Sequence, residues 1–352
     1  DKNRVAVVTD HYVPIEGEET RAIQELTREW VLEQDIKNFY DQQGICHVVL
    51  PERGHLSPGM FCVGGDSHSP TGGAFGAYMF GIGATEMAGV LATGKIWIKV
   101  PETILIKWAG QTDAFVTAKD MMLATCAKIG MGGGRYQAIQ YAGEAIHKLN
   151  MQERMTMSNM AAELGAQAGL ISPDETTIEY LKSVNASILD NWQNYQIEKP
   201  DLNGEVINLD ASSLSPQIAA PHSPENSSDV DDFKNISFDI AYIGACTGAK
   251  YTDLMAAASI LKNRKVSSNV CLKVAPASLR DQQRAEREGI MRILEDAGAE
   301  FLPNSCGLCA GYGSDRLSKE QVCISSTARN FKGRMGDPSS KVYLASPYTV
   351  AA

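Results

Sequence analysis

Three cysteines in the second half of the chain have a spacing that suits metal chemistry. Cys306 and Cys309 form a C-x-x-C pair, and Cys246 follows an apolar segment within Gly244–Gly248. Alone, a C-x-x-C pair could be a redox pair, half of a zinc site or half of a cluster site. The sequence has no second C-x-x-C or nearby His pair to complete a zinc site. Three thiolates instead suit a 4Fe–4S cluster with one iron open to substrate; the alternative is a buried Cys246 and an incidental pair.

Two short clusters place a carboxylate beside an imidazole, a pairing that fixes the imidazole tautomer and supports proton transfer. These clusters are Asp10-His11 and Asp66-Ser67-His68. Each follows a candidate strand, and His47 lies within another, Ile45–Leu50. The alternative for each cluster is a turn residue beside a helix cap.

Two further pairs of polar residues are candidates for the same site. Asn159 and Glu163 are four residues apart on a predicted helix and therefore share one face. Arg329 and Arg334 flank a turn, and arginine forks suit bidentate binding of carboxylates. The alternatives are a solvated helix face for the first pair and a basic surface loop for the second.

The elements around these residues alternate between strands and helices, which predicts an α/β architecture with a mainly parallel sheet. Functional residues in such sheets lie at the carboxyl ends of strands, so the separate clusters are expected to converge. A glycine-rich helix is predicted over 74–93. The predicted organisation is α/β domain 1 over 1–100, α/β domain 2 over 101–208, a linker or long loop over 209–236, and α/β domain 3 over 237–352.

Composition and charge narrow the function further. The 352 residues are 44% hydrophobic and carry a net charge of −10. An acidic chain does not favour a nucleic-acid or anionic-membrane partner, which calls for a basic surface. No apolar run is long enough to span a bilayer. Sparse cysteines indicate a reducing location, and we expect a cytoplasmic protein, or a processed one of the mitochondrial matrix or plastid.

Several motifs together resemble the aconitase superfamily, in the branch of the large subunits of 3-isopropylmalate dehydratase and homoaconitase. The motifs of the superfamily are Gly65–Gly73, Ile243–Thr247, Cys306–Cys309 and Arg329–Arg334. The stretches similar to this branch are His47–Gly54, Leu91–Gly94, Thr117–Asp120 and Ile171–Thr177. The resemblance extends in order over essentially the whole chain.

The resemblance implies a fold and a reaction. It implies three α/β/α domains around a 4Fe–4S cluster held by Cys246, Cys306 and Cys309, with one labile, substrate-binding iron. The implied activity is that of a hydro-lyase, which dehydrates and rehydrates a hydroxy-di- or tricarboxylate through an unsaturated intermediate.

The resemblance also implies roles for the polar residues. Asp10 and His11 match the acid pair that protonates the leaving hydroxyl. The remaining catalytic matches are His47, Asp66, His68 and Glu163. The substrate-binding matches are Ser67, Asn159, Arg329 and Arg334.

Two positions depart from the family pattern, and one domain of the family is not represented. Gly248 and Ala328 stand where the family commonly has asparagine. Either the surroundings of the cluster are rearranged, or the chain is a divergent member with an altered substrate or weaker cluster binding. We expect the swivelling domain, with its serine base and substrate-binding arginine, to lie outside this chain. A separate small subunit is therefore the expected partner, in a hetero-oligomer that acts on a small polycarboxylate.

The sequence leaves other functions open. Within the family these are homoaconitase, aconitase and methylmalate-type dehydratase activity. A different class is a non-catalytic or RNA-binding relative, against which the acidic charge argues. A third is a degenerate subunit that assembles without activity, a reading prompted by Gly248 and Ala328.

Overall fold

The chain has an α/β fold, as the sequence predicts, with strands that are mostly parallel. A computed structural model describes residues 1–196 and 204–352. The chain divides into two compact units. Unit 1 contains residues 1–50 and 217–352, and unit 2 contains residues 51–216.

The elements follow each other along the chain from unit 1 through unit 2 and back. Residues 1–52 contain β1 (Ala6–Thr9), α1 (Gly17–Glu33), β2 (Asn38–Asp41) and α2 (Cys46–Glu52). Next come β3 (Phe61–Gly64), β4 (Tyr78–Gly81), α3 (Ala84–Thr93), β5 (Thr103–Ala109), α4 (Ala118–Ile129), β6 (Ala138–Ala142), α5 (Glu144–Lys148), α6 (Met151–Asn159), β7 (Ala168–Ile171), α7 (Glu175–Ser183) and β8 (Val206–Asp210). The last part holds β9 (Gln217–Ala219), β10 (Ser227–Asp229), β11 (Ile240–Ile243), α8 (Tyr251–Leu261), β12 (Cys271–Val274), α9 (Leu279–Arg287), α10 (Ile290–Ala297), β13 (Glu300–Phe301), β14 (Val322–Ser325), β15 (Lys341–Ala345) and α11 (Pro347–Ala351).

The main sheet of unit 1 has the strand order β10-β9-β15-β14-β11-β12-β13. The strands from β15 to β13 are parallel, and β9 and β10 join antiparallel. Every residue of β11 is buried, as expected for a strand covered on both faces. The loops after β11, β13 and β14 begin at one edge of this sheet, because parallel strands end on the same side.

Unit 2 has a fully parallel sheet in the order β7-β6-β5-β8, and β3 pairs in parallel with β4. Helix α4 begins at a capping box in which Thr117 accepts from the Lys119 amide and Asp120 accepts from the Thr117 amide. Asn150 and Glu153 cap α6 in the same way. These caps satisfy backbone amides that a helix start leaves unpaired.

Two predicted elements within residues 45–93 are wrong. Most of the predicted strand over 45–50 lies instead in helix α2 (Cys46–Glu52), because the Ile45 carbonyl accepts hydrogen bonds from the Val48 and Val49 amides. A short buried apolar run does not distinguish helix from strand by its pattern. The predicted helix over 74–93 is instead a 3-10 helix (Ser69–Phe75), then β4 and α3, separated at Gly76, whose φ of 71° ends the 3-10 turn.

The stretch predicted as a linker or long loop, residues 209–236, contains two strands. Both β9 and β10 lie within it and extend the main sheet of unit 1. Each of these strands has only three residues, which are too few to show a strand pattern among the surrounding Ser, Pro and Asp. Part of predicted domain 2, residues 197–203, lies outside the described residues, and the division into three domains stays a prediction. Among the described residues, no helix is both long and apolar enough to cross a membrane.

Candidate active site and cluster-binding residues

The three cysteines singled out by the sequence lie in two loops of unit 1. Cys246 follows β11 and is buried. Cys306 follows β13 and directly precedes a 3-10 helix (Gly307–Ala310) that contains the buried Cys309. All three are thiols that take part in no disulfide. Both loops start from the same edge of the main sheet, so the structure places all three thiols at the carboxyl ends of its strands.

Buried donors near these loops test whether a sulfur-rich group fits. Tyr242 in β11 and Arg334 each bury a donor, Oη and Nε, that has no hydrogen-bond partner in the described residues. The Tyr242 ring lines one small cavity with Gly307 and Leu308. Burial raises the pKa of Tyr242 well above its usual range, and the charges of Cys309 and Cys306 raise it further. Three thiols, with the unpartnered Tyr242 hydroxyl near Cys306 and Cys309, fit an anionic iron–sulfur cluster.

Asp10 lies between His11 and the C-x-x-C loop. Its Oδ1 is 2.8 Å from His11 Nδ1, and its Oδ2 accepts a hydrogen bond from the Cys46 amide at 2.7 Å. Its main-chain carbonyl accepts from the Cys306 amide at 3.0 Å. The ligand atoms of Asp10, His11 and Cys306 all lie within 4.8 Å of one another. The structure therefore brings the predicted acid pair to a predicted cluster ligand.

The charge state of Asp10 follows from these contacts. Burial by itself raises the pKa of this carboxyl group. The hydrogen bond from His11, the His11 charge and the Cys46 amide outweigh burial, and the pKa of Asp10 is lowered overall. Asp10 is consequently ionised at neutral pH. An ionised Asp10 accepts a hydrogen bond from His11 Nδ1, so proton exchange at this imidazole would involve Nε2.

His47 belongs to unit 1 but not to a strand. It is buried on helix α2, with Nε2 3.6 Å from the Cys46 sulfur. The residue before it, Cys46, donates its backbone amide to Asp10. The start of α2 is thus tied to the acid pair through one backbone hydrogen bond.

Unit 2 holds its own buried carboxylate–imidazole pair. His68 Nε2 donates to Glu163 Oε1 at 3.0 Å, and the Glu163 side chain is fully buried. Asp66 Oδ1 accepts from the His68 amide at 2.8 Å and lies 3.5 Å from His68 Nδ1. Ser67 between them is exposed. The turn thus orients the imidazole, and Glu163 fixes which ring nitrogen carries the proton.

Two further hydrogen bonds fix the loop that carries His68. Asn159 donates from Nδ2 to Thr71 Oγ1 at 2.8 Å, and Thr71 donates to the His68 carbonyl at 2.7 Å. Helix α6 ends at Asn159, and Glu163 lies in the following 3-10 helix (Met160–Leu164) rather than in one continuous helix. Asn159 and Glu163 nevertheless contact the same loop, through Thr71 and His68, as their predicted shared face led us to expect. The sequence missed Thr71, although it lies inside the Gly65–Gly73 motif.

The arginine loop follows β14. Arg329 and Arg334 are both partly exposed. Asn330 between them is buried and donates from Nδ2 to the Ala220 and Val342 carbonyls at 2.8 and 3.0 Å. These bonds fix the loop from which both guanidinium groups extend. Asn330 lies inside the Arg329–Arg334 motif, but nothing in the sequence indicated its structural role.

The departure at Gly248 has a steric explanation. A Cβ atom at Gly248 would lie 2.2 Å from Ser326 Oγ and 2.5 Å from the Ser326 carbonyl oxygen. Ser326 Oγ is hydrogen-bonded to the Gly244 amide at 3.0 Å and to the Gly248 carbonyl at 3.1 Å. The serine therefore occupies the space of a side chain at 248. The second departure, Ala328, is buried and offers no side-chain hydrogen bond.

Comparison with known proteins agrees with this geometry. The large subunit 1 of 3-isopropylmalate dehydratase from Methanopyrus kandleri is 42% identical, over 100% of this chain and 84% of its own length. The probable methanogen homoaconitase large subunit of Methanosarcina mazei is also 42% identical, over 100% of this chain and 89% of its own length. The sequence matches the aconitase family (aconitate hydratase) over residues 2–352. The predicted resemblance is thereby confirmed, and the chain belongs to the aconitase family.

Proposed function

We propose that the chain is the catalytic large subunit of a 4Fe–4S hydro-lyase that isomerises 3-isopropylmalate through an unsaturated intermediate. The observation that carries this proposal is the grouping of Asp10, His11 and Cys306, whose ligand atoms lie within 4.8 Å of one another. This grouping supports a proton donor that would act beside a cluster cysteine. Relatives named 3-isopropylmalate dehydratase large subunit support the substrate.

Cys246, Cys306 and Cys309 would hold the cluster. When bound, the cluster supplies a Lewis-acidic iron that makes hydroxide a better leaving group. Three protein thiolates leave one iron with an open position, which is the labile iron of this proposal.

The chain's own residues supply the proton and its control. Asp10 holds His11 Nδ1, so His11 Nε2 gives the proton to the departing hydroxyl. In unit 2, Glu163 holds the proton of His68 at Nε2, which leaves His68 Nδ1 to face Asp66. Arg329 and Arg334 would bind the carboxylates and stabilise the negative charge formed when the carbon next to a carboxylate loses its proton.

A small subunit is part of the proposal. The relatives are named large subunits, which implies a smaller partner. We infer that a separate swivel-domain chain completes the active site in a hetero-oligomer. Cys306 is partly exposed, and an exposed thiol stays reduced only in a reducing compartment. We therefore infer a reducing compartment, with the cytoplasm as the first choice.

A homocitrate- or homoaconitate-directed enzyme is the second candidate. The Methanosarcina mazei relative, named a probable homoaconitase large subunit, is as similar as the first relative. Measuring kcat/KM of the reconstituted complex with each hydroxy acid decides between them. A higher kcat/KM for 3-isopropylmalate supports the first candidate, and a higher value for homocitrate replaces it.

The first test is anaerobic reconstitution of the chain with iron and sulfide. The wild type is expected to gain the broad visible absorbance of a cluster and, after mild oxidation, a three-iron EPR signal. Cys306→Ser should lose both, whereas Cys62→Ser, a partly buried cysteine of β3, should keep them. A Cys306→Ser chain that assembles a normal cluster and, with the small subunit, retains full hydratase activity would contradict the proposal.

A further inference from the structure

Lys250 is a buried cation at the end of the Cys246 loop. Its side chain is fully buried, and Nζ donates to the Cys246 carbonyl at 3.0 Å. Nζ also lies 2.8 Å from Asp253 Oδ2, and the same oxygen accepts from the Lys250 amide at 3.0 Å. A fully buried lysine is costly unless such partners compensate it. The reason for burying Lys250 is therefore to be sought in the loop that it contacts.

The loop from Gly244 to Lys250 needs external fixing. Ala245, directly before the cysteine, has a φ of 70°, a left-handed conformation that is costly for a residue with a Cβ. Its carbonyl accepts the Gly248 and Ala249 amides at 3.3 and 3.2 Å. The hydrogen bond from Lys250 Nζ to the Cys246 carbonyl restrains the peptide that follows the cysteine in this loop.

We propose that Lys250 is a positioning residue for the cluster: its ammonium fixes the main chain at Cys246 and adds a buried positive charge beside this thiolate. The inference rests on the proposed cluster, which carries negative charge contributed by three thiolates. Reduction adds further negative charge at the same place, and a buried cation stabilises it. Lys250 thus acts both on loop geometry and on cluster potential.

The first measurement uses the metal-free chain and does not depend on the cluster. Hydrogen exchange of the Gly248 and Ala249 amides is expected to accelerate at least about tenfold in Lys250→Met, because the loop loses its anchor. Lys250→Arg, which keeps a cation and its donors, should restore slow exchange. Lys262→Met, an exposed lysine just after α8, is the matched control and should change nothing.

The second measurement is the midpoint potential of the reconstituted chain, which a purely structural role would not move. In Lys250→Met, one-electron reduction is expected to become about tenfold less favourable, equal to ~59 mV. Lys250→Arg should stay near the wild type. Removing the charge should thus lower the midpoint potential, whereas loosening alone would not.

The possible outcomes separate the inference from the proposed function. If Lys250→Met does not fold, Lys250→Met/Asp253→Asn removes both charges, keeps an acceptor at the helix start and takes its place in the exchange test. Unchanged exchange and unchanged potential in a loaded Lys250→Met chain overturn the inference. A wild type that assembles no cluster overturns the proposed function, while exchange in the metal-free chains still decides whether Lys250 anchors the loop.

Discussion

The protonation of individual side chains in this protein depends on the neighbouring atoms that hold them in place. Glu163 illustrates this, because its carboxylate is fully buried and its contact with His68 Nε2 decides which imidazole nitrogen carries a proton. Burial disfavours the charged form of a carboxyl group, and ionisable groups in such places are common at functional sites. A buried carboxylate of this kind is better explained by chemistry than by stability.

Replacing Glu163 by glutamine should reduce activity while the fold is kept. The amide still accepts the hydrogen bond from His68 but no longer stabilises its protonated form. We expect kcat of the assembled enzyme to fall by about 10²–10⁴-fold, the usual contribution of acid–base groups. Glu179→Gln, an exposed glutamate of α7, is the matched control. A Glu163→Gln enzyme with wild-type kcat would remove Glu163 from the mechanism.

Gly248 should not tolerate a side chain. A Cβ atom there meets both the side chain and the carbonyl of Ser326, so Gly248→Ala should lower the free energy of unfolding by about 1–3 kcal/mol. Ser326→Ala should not rescue it, because the carbonyl oxygen 2.5 Å away remains. Urea unfolding of the metal-free chain measures this. Gly89→Ala on α3, where nothing lies within 4 Å, should be neutral or stabilising.

At the scale of elements, unit 2 depends on an ion pair between two helices. Arg154 of α6 is fully buried and binds Asp174, the N-cap of α7, through Nη1 at 2.6 Å and Nη2 at 2.8 Å. It also donates to the His147 and Leu149 carbonyls. Burial acts to raise the pKa of Asp174, but the Arg154 hydrogen bond and charge lower it overall. The pair therefore joins α6, α7 and the end of α5.

The Arg154–Asp174 pair should make stability depend on pH. The folded pKa of Asp174 lies below its unfolded value, so its contribution is complete above the unfolded pKa and is lost as pH falls through the folded pKa. Asp174→Asn should cost about 2–4 kcal/mol at pH 7, less than a fully buried pair because Asp174 is partly exposed. The difference from the wild type should shrink below about pH 4. A difference that stays constant down to pH 2.5 would contradict this account.

At the scale of the whole molecule, the predicted ligands are distributed unevenly. The three predicted cluster cysteines, with Asp10, His11 and the two predicted substrate-binding arginines, belong to unit 1, whereas the His68–Glu163 pair belongs to unit 2. The cluster is therefore expected to stabilise unit 1 directly. Binding to the folded form alone adds to stability by mass action.

Cluster removal should therefore affect the two units differently. Chelation of iron is expected to lower the free energy of unfolding by roughly 2–4 kcal/mol. Hydrogen exchange should accelerate in residues 1–50 and 217–352, most of all around Cys246 and Cys306, and change little in residues 51–216. Mass spectrometry of exchanged peptides with and without cluster tests this. Equal acceleration in both units would show that the cluster does not act through its own unit.

The α/β class and most members of the candidate site could be read from the sequence. Its motifs combine residue type and short spacing, and both are local properties: a C-x-x-C pair, an aspartate next to a histidine, two arginines around a turn. The chemistry of thiolates and imidazoles does not depend on distant contacts, so the cluster and proton-transfer hypotheses were available from the residues alone.

Only the tertiary structure decided how these residues are held. Ser326 contacts Gly244 and Gly248 across 82 and 78 residues, and Asn330 reaches Ala220 across 110. Whether the apolar run 45–50 becomes a helix, and why Gly248 is a glycine, also depend on partners far away in the chain. Buried polar groups must find such partners wherever the fold supplies them, and no local pattern specifies where that is.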